Sequence, residues 1–560
     1  MRGQPVSDMP DVWGPGQLLA FSGLDGPTSW SEPFVLHTGE RVGDLTVLLP
    51  VKAHIAFAGL DRLRGSMILG DAIAGSANGD AFMVVFLDHH TLAGQLPDGA
   101  TLRVGDGPLP ETAALVNEEK GLGLFAAAQG RRWVLHVHAA GDSAGAAAAC
   151  RRGLQADLAQ ALAERSALVQ SVPVPAGMSA AHTRLLRKGV SVMKVNTHSA
   201  CGTLKRRWST PDRWPHRNMW LWDSAFHAVG MAYVDVDSAK DVALAMLEQV
   251  RDDGMLPHMV GADGSCSQIT QPPILGWAVA HILARSEDLQ WAAECKPRLL
   301  RYLEWMRLNR DRNGNGIPEW YIEGQPLCRC GESGLDNSPV YDRGVLLDAV
   351  DFGSFLCHDY RCLAEIATRL GDTTTAGLCL GHAAHISDAI NRWLWCDQAR
   401  FYFHRDFDGN RVKVKAVSGF MPLFAGVASS RQADDLARHL QDPATFNAPL
   451  PVPSVSLDSG TYCKDMWRGP TWMNLNYLIH LGLRRYGLAA DACRLREQTL
   501  GAIQKWYERD GCLWEYYDSL DVTPPRDLDR KQRLITGKGI APISDYHWTA
   551  AVTTALLLGD

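Results

Sequence analysis

The pattern of apolar positions changes once along this chain. From residue 1 to about 145, short apolar runs such as Leu45–Val51, Phe82–Leu87 and Trp133–His138 alternate with turns rich in Gly, Asp and Pro. That pattern predicts strands, and their number predicts an N-terminal β-sandwich domain over residues 1–145. Residues 146–178 read as a helical linker: an Ala-rich helix from Ala147 to Leu168, then a break at Ser171-Val-Pro-Val-Pro-Ala-Gly177. From Ser179 onward the apolar spacing is helical. It predicts helices at 179–199, 236–251, 271–286, 288–309, 343–370, 376–395, 470–486, 488–508 and 545–558. Paired helices over residues 179–560 predict a mostly α toroid, an inner helix ring wrapped by an outer one.

An internal echo supports repeated helical hairpins. Asp253-Gly-Met-Leu-Pro-His258 and Asp510-Gly-Cys-Leu-Trp-Glu515 match in register, and Asn315-Gly-Ile-Pro-Glu319 is a shorter copy. Each follows a predicted helix, as a turn at one edge of a repeat does.

Composition narrows the class. Apolar residues make up 46% of the 560 and charged residues 21%, which is ordinary for a folded protein. A net charge of −7 gives no basic surface for nucleic acid or anionic membrane, so neither is expected as a partner. The 13 Cys have no zinc-finger spacing; Cys328-Arg-Cys330 is a single C-x-C, and the set reads as reduced, mostly buried thiols. No signal peptide or apolar run of membrane length is seen, so a cytoplasmic location is expected. Trp is over-represented: 18, against 13 Tyr and 15 Phe. Buried core and sugar stacking both explain such a count.

Two carboxylates stand apart from any amphipathic face. Asp336 lies in Gly331-Glu-Ser-Gly-Leu-Asp-Asn-Ser-Pro339, and Glu515 in Trp514-Glu-Tyr-Tyr-Asp518. A carboxylate pair across an aromatic-lined pocket is what glycosidic hydrolysis needs: an acid for the leaving oxygen and a base for water. Taken alone, Asp336 reads equally as a helix cap or Asx turn, and Glu515 as part of the repeated turn. Three further segments pair aromatic or rigid residues with polar ones: Asn218–His227, Gln268–Ile274 and Tyr462–Trp472.

Together these segments resemble a known family. Trp-Asp-Ser (222–224), Gln-Pro-Pro (271–273), Glu-Ser-Gly-Leu-Asp-Asn-Ser-Pro (332–339), Trp-Arg-Gly-Pro-Thr-Trp (467–472), Trp-Glu-Tyr-Tyr-Asp (514–518) and Trp-Thr-Ala-Ala (548–551) occur in the order of glycoside hydrolase family 63. The resemblance is to its bacterial α-glucosidase and mannosylglycerate/glucosylglycerate hydrolase branch, in a clan with trehalases. It implies an (α/α)6 barrel over residues 179–560 and an inverting exo-glycosidase acting on an α-linked glucoside or mannoside. It also implies Asp336 as general acid, Glu515 as general base, and Trp222, Asp223, Gln271, Trp467, Arg468 and Trp472 in or near the sugar pocket. An inverting pair holds its carboxyls about 6.5–9.5 Å apart. For Arg468, an ion pair with Asp465 or Asp223 is the structural alternative. One departure stands out: relatives commonly carry an aromatic where this chain has Gly331, which predicts a reshaped pocket wall there.

A separate signal is Asp311-Arg-Asn-Gly-Asn-Gly-Ile-Pro-Glu319. Asp311, Asn313, Asn315, the Ile317 carbonyl and Glu319 stand where the first ligands of a calcium loop do, but Ile322 replaces its last Glu. A structural calcium ion is the one cofactor this suggests, and catalysis requires none. The alternative is a Gly-rich Asx turn. His89, His90, His136 and His138 suit packing or surface roles better than zinc. The expected partner is a carbohydrate, and the sequence does not set the oligomeric state. Other classes weighed on the same toroid are a glycoside phosphorylase, a polysaccharide lyase and a non-catalytic sugar-binding protein.

Overall fold

Alternation in the first 140 residues folds into two antiparallel sheets. The computed structural model describes residues 8–60, 63–105, 107–325 and 327–559. One sheet orders its strands Leu18–Ala20, Val35–Thr38, Leu45–Leu49, Ala53–Ala58, Thr101–Val104 and Gly107–Pro108. The other runs Ala114–Glu119, Leu122–Gln129, Arg132–Ala139, Thr91–Gln95, Asp80–Asp88, Ala72–Ala77 and Arg64–Ile68. A shared core lies between them: Leu36, Val47, Ile55 and Phe57 from the first meet Phe82, Val84, Phe86, Leu124, Leu135 and Val137 from the second.

The second sheet is buried on its other face too. Val85, Ala93, Phe125, Ala127 and Val134, which alternate with the inner residues, pack against Ala146, Cys150, Leu158 and Ala161. These come from α1 (Ser143–Leu154) and α2 (Leu158–Ser171). The stretch read as a linker is therefore a cover for the sheet. Two-sided burial also explains why its strands read as apolar runs rather than clean alternation.

The remaining helices are α3 (Ala180–Val195), α4 (Leu221–Met231), α5 (Val236–Leu247), α6 (Leu275–Ser286), α7 (Leu289–Asn309), α8 (Val350–Arg369), α9 (Thr373–Trp393), α10 (Met421–Ala425), α11 (Ser430–Gln441), α12 (Met473–Arg485), α13 (Ala489–Asp510), α14 (Arg533–Thr536) and α15 (His547–Leu558). All nine helices expected from periodicity are present. The helix expected from residue 343 starts only at Val350, because Leu347–Asp348 first pairs as a strand with Arg405–Asp406. The echoed turns are there as well: Gly254, Gly316 and Gly511 are left-handed, with φ of +97°, +86° and +67°, a conformation open to Gly.

Packing divides the chain into two compact units, and these do not follow the boundaries drawn from element type. One comprises residues 1–217, 503–513 and 544–560; the other comprises 218–502 and 514–543. In the first, α3 packs on α15. Lys194 of α3 is buried between Asp71 (2.6 Å) and Asp25 (2.7 Å). Burial pushes the Asp71 carboxyl up to about 6 despite that lysine.

In the second unit, α4 packs on α6, α6 on α8, α8 on α10, and α10 on α12. Helices α4, α8, α10 and α12 are buried over most of their surface, whereas α7, α9 and α11 keep an exposed face. The two sets also begin differently. Asp235, Asp288, Asp372 and Ser429 cap α5, α7, α9 and α11 with their own side chains. Helices α4, α6, α8 and α12 have no such cap. Tertiary acceptors serve instead: Asp359 of α8 takes the N–H groups of Gly276 (2.7 Å) and Trp277 (2.9 Å) in α6. Gln271 Oε1 takes that of Trp222 in α4 (3.2 Å). Among the described residues, no helix is long and apolar enough to cross a membrane.

His358 of α8 is buried edge-on to Phe424, with ring centroids 4.3 Å apart. Burial, then Arg485 and Arg361, push the ring down to about 3. A depressed histidine contributes stability that is present above its unfolded value of about 6.5 and lost as pH falls below it; the loss is about 2 kcal/mol by pH 5. His358→Leu should accordingly lose less melting temperature than the wild type between pH 7.5 and 5. Parallel calorimetric curves for the two proteins would refute this assignment.

Candidate active site

The loop carrying Asp336 is held by nearly every residue around it. Glu332 is fully buried and accepts the N–H groups of Thr270 (3.0 Å) and Tyr321 (2.7 Å) and the guanidinium of Arg310. Gly334 sits at φ +71°, and a Cβ there would lie 2.4 Å from the Trp222 ring. The Asp336 carbonyl accepts N–H groups from Arg329 (2.9 Å) and Cys330 (3.3 Å). Asn337 Oδ1 accepts the N–H of Trp467 (3.0 Å), and its carbonyl accepts from Arg468 (3.1 Å). The one-turn helix that follows, Pro339–Tyr341, has no side-chain cap. The cap role weighed for Asp336 is thus not the one it plays: its carboxylate pairs with Lys531 Nζ at 2.7 Å.

Glu515 is 1% exposed. Arg530 grips it with both arms, Nε to Oε2 at 3.1 Å and Nη2 to Oε1 at 3.2 Å, and the Ile543 N–H donates to Oε2 at 3.2 Å. A forked guanidinium pair of this kind is among the stronger charge-assisted contacts and fixes the carboxylate in direction.

Aromatic rings run between the two segments. Trp222, which covers Gly334, lies 6.4 Å from Trp467; Trp467 stacks on Trp472 at 3.7 Å and 4°; Trp472 meets Tyr516 at 4.7 Å. Tyr516 directly follows Glu515. Sequence reasoning missed what binds the two carboxylates: the adjacent residues Arg530 and Lys531. Their signal was present, two cations closing a stretch whose charges otherwise run Asp518, Asp521, Asp527 and Asp529 with only Arg526 among them. Lys531 and Gln532 are both left-handed, at φ +53° and +58°. Asp465 holds that turn by accepting both backbone N–H groups, at 2.6 and 3.1 Å. Burial, then Asp529, push the Asp465 carboxyl up against these hydrogen bonds.

The other expected residues fall as follows. Trp222, Gln271, Trp467 and Trp472 join the cluster just described, and all four are buried. Asp223 is buried in the first turn of α4. Arg468 makes an ion pair, but with Asp342 rather than Asp465 or Asp223: two parallel contacts of 2.8 Å. At Gly331 the space of the expected missing wall is filled. A Cβ would meet Glu323 Oε2 at 2.8 Å, and that oxygen already accepts the Gly331 N–H.

The 311–319 loop is satisfied by its own hydrogen bonds. Asp311 accepts the N–H groups of Asn315 (3.0 Å) and Gly316 (2.9 Å), the Ile317 N–H donates to Asn315, and Glu319 accepts the N–H of Arg312. Asn313 and Asn315 turn their amide Nδ2 groups onto Asp348, at 2.8 and 2.7 Å. Oxygen ligands for calcium would have to face a common centre. Among the described residues no group of three or more His, Cys, Asp or Glu is placed to hold a metal. The loop in this geometry fits the Asx turn. His136 bonds Thr91 (3.0 Å) and His138 bonds Asp142 (2.9 Å), both packing roles. All 13 cysteines are free thiols.

Comparison with known proteins adds the following. A family model described as the mannosylglycerate hydrolase MGH1-like glycoside hydrolase domain matches residues 216–549. A mannosylglycerate hydrolase of Thermus thermophilus is 27% identical over 424 residues, spanning 60% of this chain and 94% of that protein. Mannosylglycerate hydrolase MGH1 of Selaginella moellendorffii is 25% identical over 457 residues, 66% of this chain and 86% of that protein. Among solved structures, a GH63 mannosylglycerate hydrolase of Thermus thermophilus in complex with glucose aligns with a TM-score of 0.56 at 27% identity, covering 67% of this chain and all of that one. A bacterial glucoamylase complexed with acarbose aligns with a TM-score of 0.60 over 99% of this chain and 96% of its own; at 12% identity it bears on fold alone.

Gly334 gives the site its simplest test. A methyl group there meets the Trp222 ring in a conformation that L side chains rarely adopt, and misplacing an acid by about 1 Å reduces rate about 100-fold. Gly334→Ala should retain the circular dichroism spectrum of the wild type and lose about two orders of magnitude in kcat/KM. Unchanged kinetics would mean that the loop carrying Asp336 is not part of the site.

Proposed function

Starting from a chain that belongs to the mannosylglycerate hydrolase MGH1-like glycoside hydrolases and is a glycosidase, we propose that it is an inverting exo-hydrolase of a small α-linked glucoside or mannoside. Asp336 is the general acid and Glu515 the general base. The observation that carries this reading is the pair of carboxylates engaged by adjacent residues of one segment, Lys531 on Asp336 and Arg530 on Glu515, with an aromatic row alongside.

Each carboxylate suits its role. Glu515 is buried with a forked guanidinium partner, an arrangement that favours the charged form able to take a proton from water. Asp336 is half-buried rather than sealed. In an inverting reaction the proton that Asp336 gives to the leaving oxygen is matched by the one Glu515 takes from water, and one displacement inverts the anomeric carbon. The buried rings of Trp222, Trp467 and Trp472 back the pocket rather than line it with free faces. Asp223 and Gln271 supply polar groups at the start of the buried helices.

The helix count supports an (α/α)6 barrel as the catalytic fold. Helices α4 to α13 make five inner–outer pairs by order, and within the other unit α3 packs on α15. The names of the relatives point to mannosylglycerate as the first substrate to try, and the family resemblance of the sequence adds glucosylglycerate. The filled space at Gly331 is the reason to extend the panel to α-glucosyl disaccharides.

Asp336→Asn and Glu515→Gln should each reduce turnover at least about 1,000-fold while the melting temperature stays near that of the wild type. Proton NMR of the first product formed should show the anomer opposite to that of the substrate. A retained anomer, or either variant with near wild-type turnover, would defeat the assignment.

A further inference from the structure

The resting geometry of Asp336 poses a problem for a general acid. A donor needs its proton, yet the carboxylate lies 2.7 Å from the Lys531 ammonium, and an opposite charge that close favours the ionised form. The other ionisable groups around the carboxylate do not offset this. His258 is part-buried and bonded to Ser267 at 2.5 Å. Burial pushes that ring down to about 4 against the pull of Asp336, so it is neutral at working pH. Burial also pushes the Cys328 thiol up, so it is neutral as well, and it donates to Glu323 at 3.6 Å. Arg530, next to Lys531, is committed to Glu515. Lys531 is therefore the cation paired with the Asp336 carboxylate. Burial alone would lower the ammonium, but Asp336 outweighs it and holds it above its ordinary range.

The backbone fixes Lys531 in place. It occupies a left-handed turn that a β-carbon disfavours, kept there by the two N–H groups bound to Asp465. Its ammonium sits on the carboxyl group that a leaving oxygen must reach.

We propose that Lys531 is a positioning residue that gates the general acid: it holds Asp336 ionised in the free enzyme, and a bound glycoside must displace it before Asp336 takes up the proton it donates. The inference rests on the assignment of Asp336 as acid. The proton inventory closes. Asp336 takes one proton from solvent when Lys531 leaves and gives it to the departing oxygen. Glu515 takes one from the attacking water and returns it to solvent. The glycosidic bond breaks, the bond from water to the anomeric carbon forms, and Lys531 closes again on the spent carboxylate. On this account the gate opposes protonation of the free enzyme, so it sets the alkaline limit of kcat/KM, which reports free-enzyme ionisations.

The test compares the full-length wild type with Lys531→Met, Lys531→Arg and Asp336→Asn. The first readout is kcat/KM for mannosylglycerate and glucosylglycerate across pH. Lys531→Met should move the alkaline limb upward by about one pH unit or more, and Lys531→Arg should leave it where the wild type has it. The second readout needs no substrate: the infrared carboxyl band lost in Asp336→Asn should titrate at higher pH in Lys531→Met than in the wild type. If Lys531→Met leaves both the limb and the band unmoved, the gate is overturned even though Asp336→Asn is inactive. If Asp336→Asn stays active, the assignment of the acid itself fails, which is a distinguishable result. Lys531→Arg guards against a folding defect, since it keeps the charge and a long stem.

Discussion

A buried carboxylate gripped by a guanidinium fork is the constraint around which the site is arranged. Glu515 is removed from water, and an isolated charge there is strongly unfavourable. Arg530 resolves this with a planar fork, which Lys could not reproduce. That choice fixes where residues 529–532 must run, and hence where Lys531 reaches. The rest follows from holding this segment still. Asp465 accepts its N–H groups, the Met466 N–H bonds the Asp529 carbonyl at 3.3 Å, and the Trp472 indole donates to the Met466 carbonyl at 2.9 Å. A chain of short-range contacts thus connects the aromatic row to the charge on Glu515.

Much of the architecture was legible because its signals are local. The strands carry apolar runs between turn residues, and α5, α7 and α9 each open with an Asp that reads as a cap. Helix α4 was not among the expected helices, and the reason is physical. It begins at Leu221 in a run of Trp with no capping residue, and its first two N–H groups find acceptors far along the chain, Leu221 on the His258 carbonyl and Trp222 on Gln271. The same applies to the start of α6, whose cap comes from Asp359, 83 residues from Gly276. Helices whose ends are satisfied through space leave no mark at those ends in their own sequence.

The site divides the same way. Asp336 and Glu515 were legible because a family pattern carries them. Their cationic partners were not, because nothing local ties residue 531 to residue 336. Arg468 was recognised as a residue of interest, but its partner Asp342 was not, although it stands only three residues beyond Pro339. The 311–319 loop was read as a ligand series from the spacing of its oxygens. Its geometry depends equally on Asp348, which accepts from the Nδ2 groups of Asn313 and Asn315. The 146–178 stretch misled for a different reason: an Ala-rich helix looks like a spacer until the sheet it covers is known.

The adjacency of Arg530 and Lys531 has a consequence for how this enzyme can change. Consecutive Cα atoms are about 3.8 Å apart across one trans peptide, so the two partners cannot drift independently. A single inserted or deleted residue anywhere between Ser519 and Asp529 would shift both at once, and disturb the contacts of Asp336 and Glu515 together.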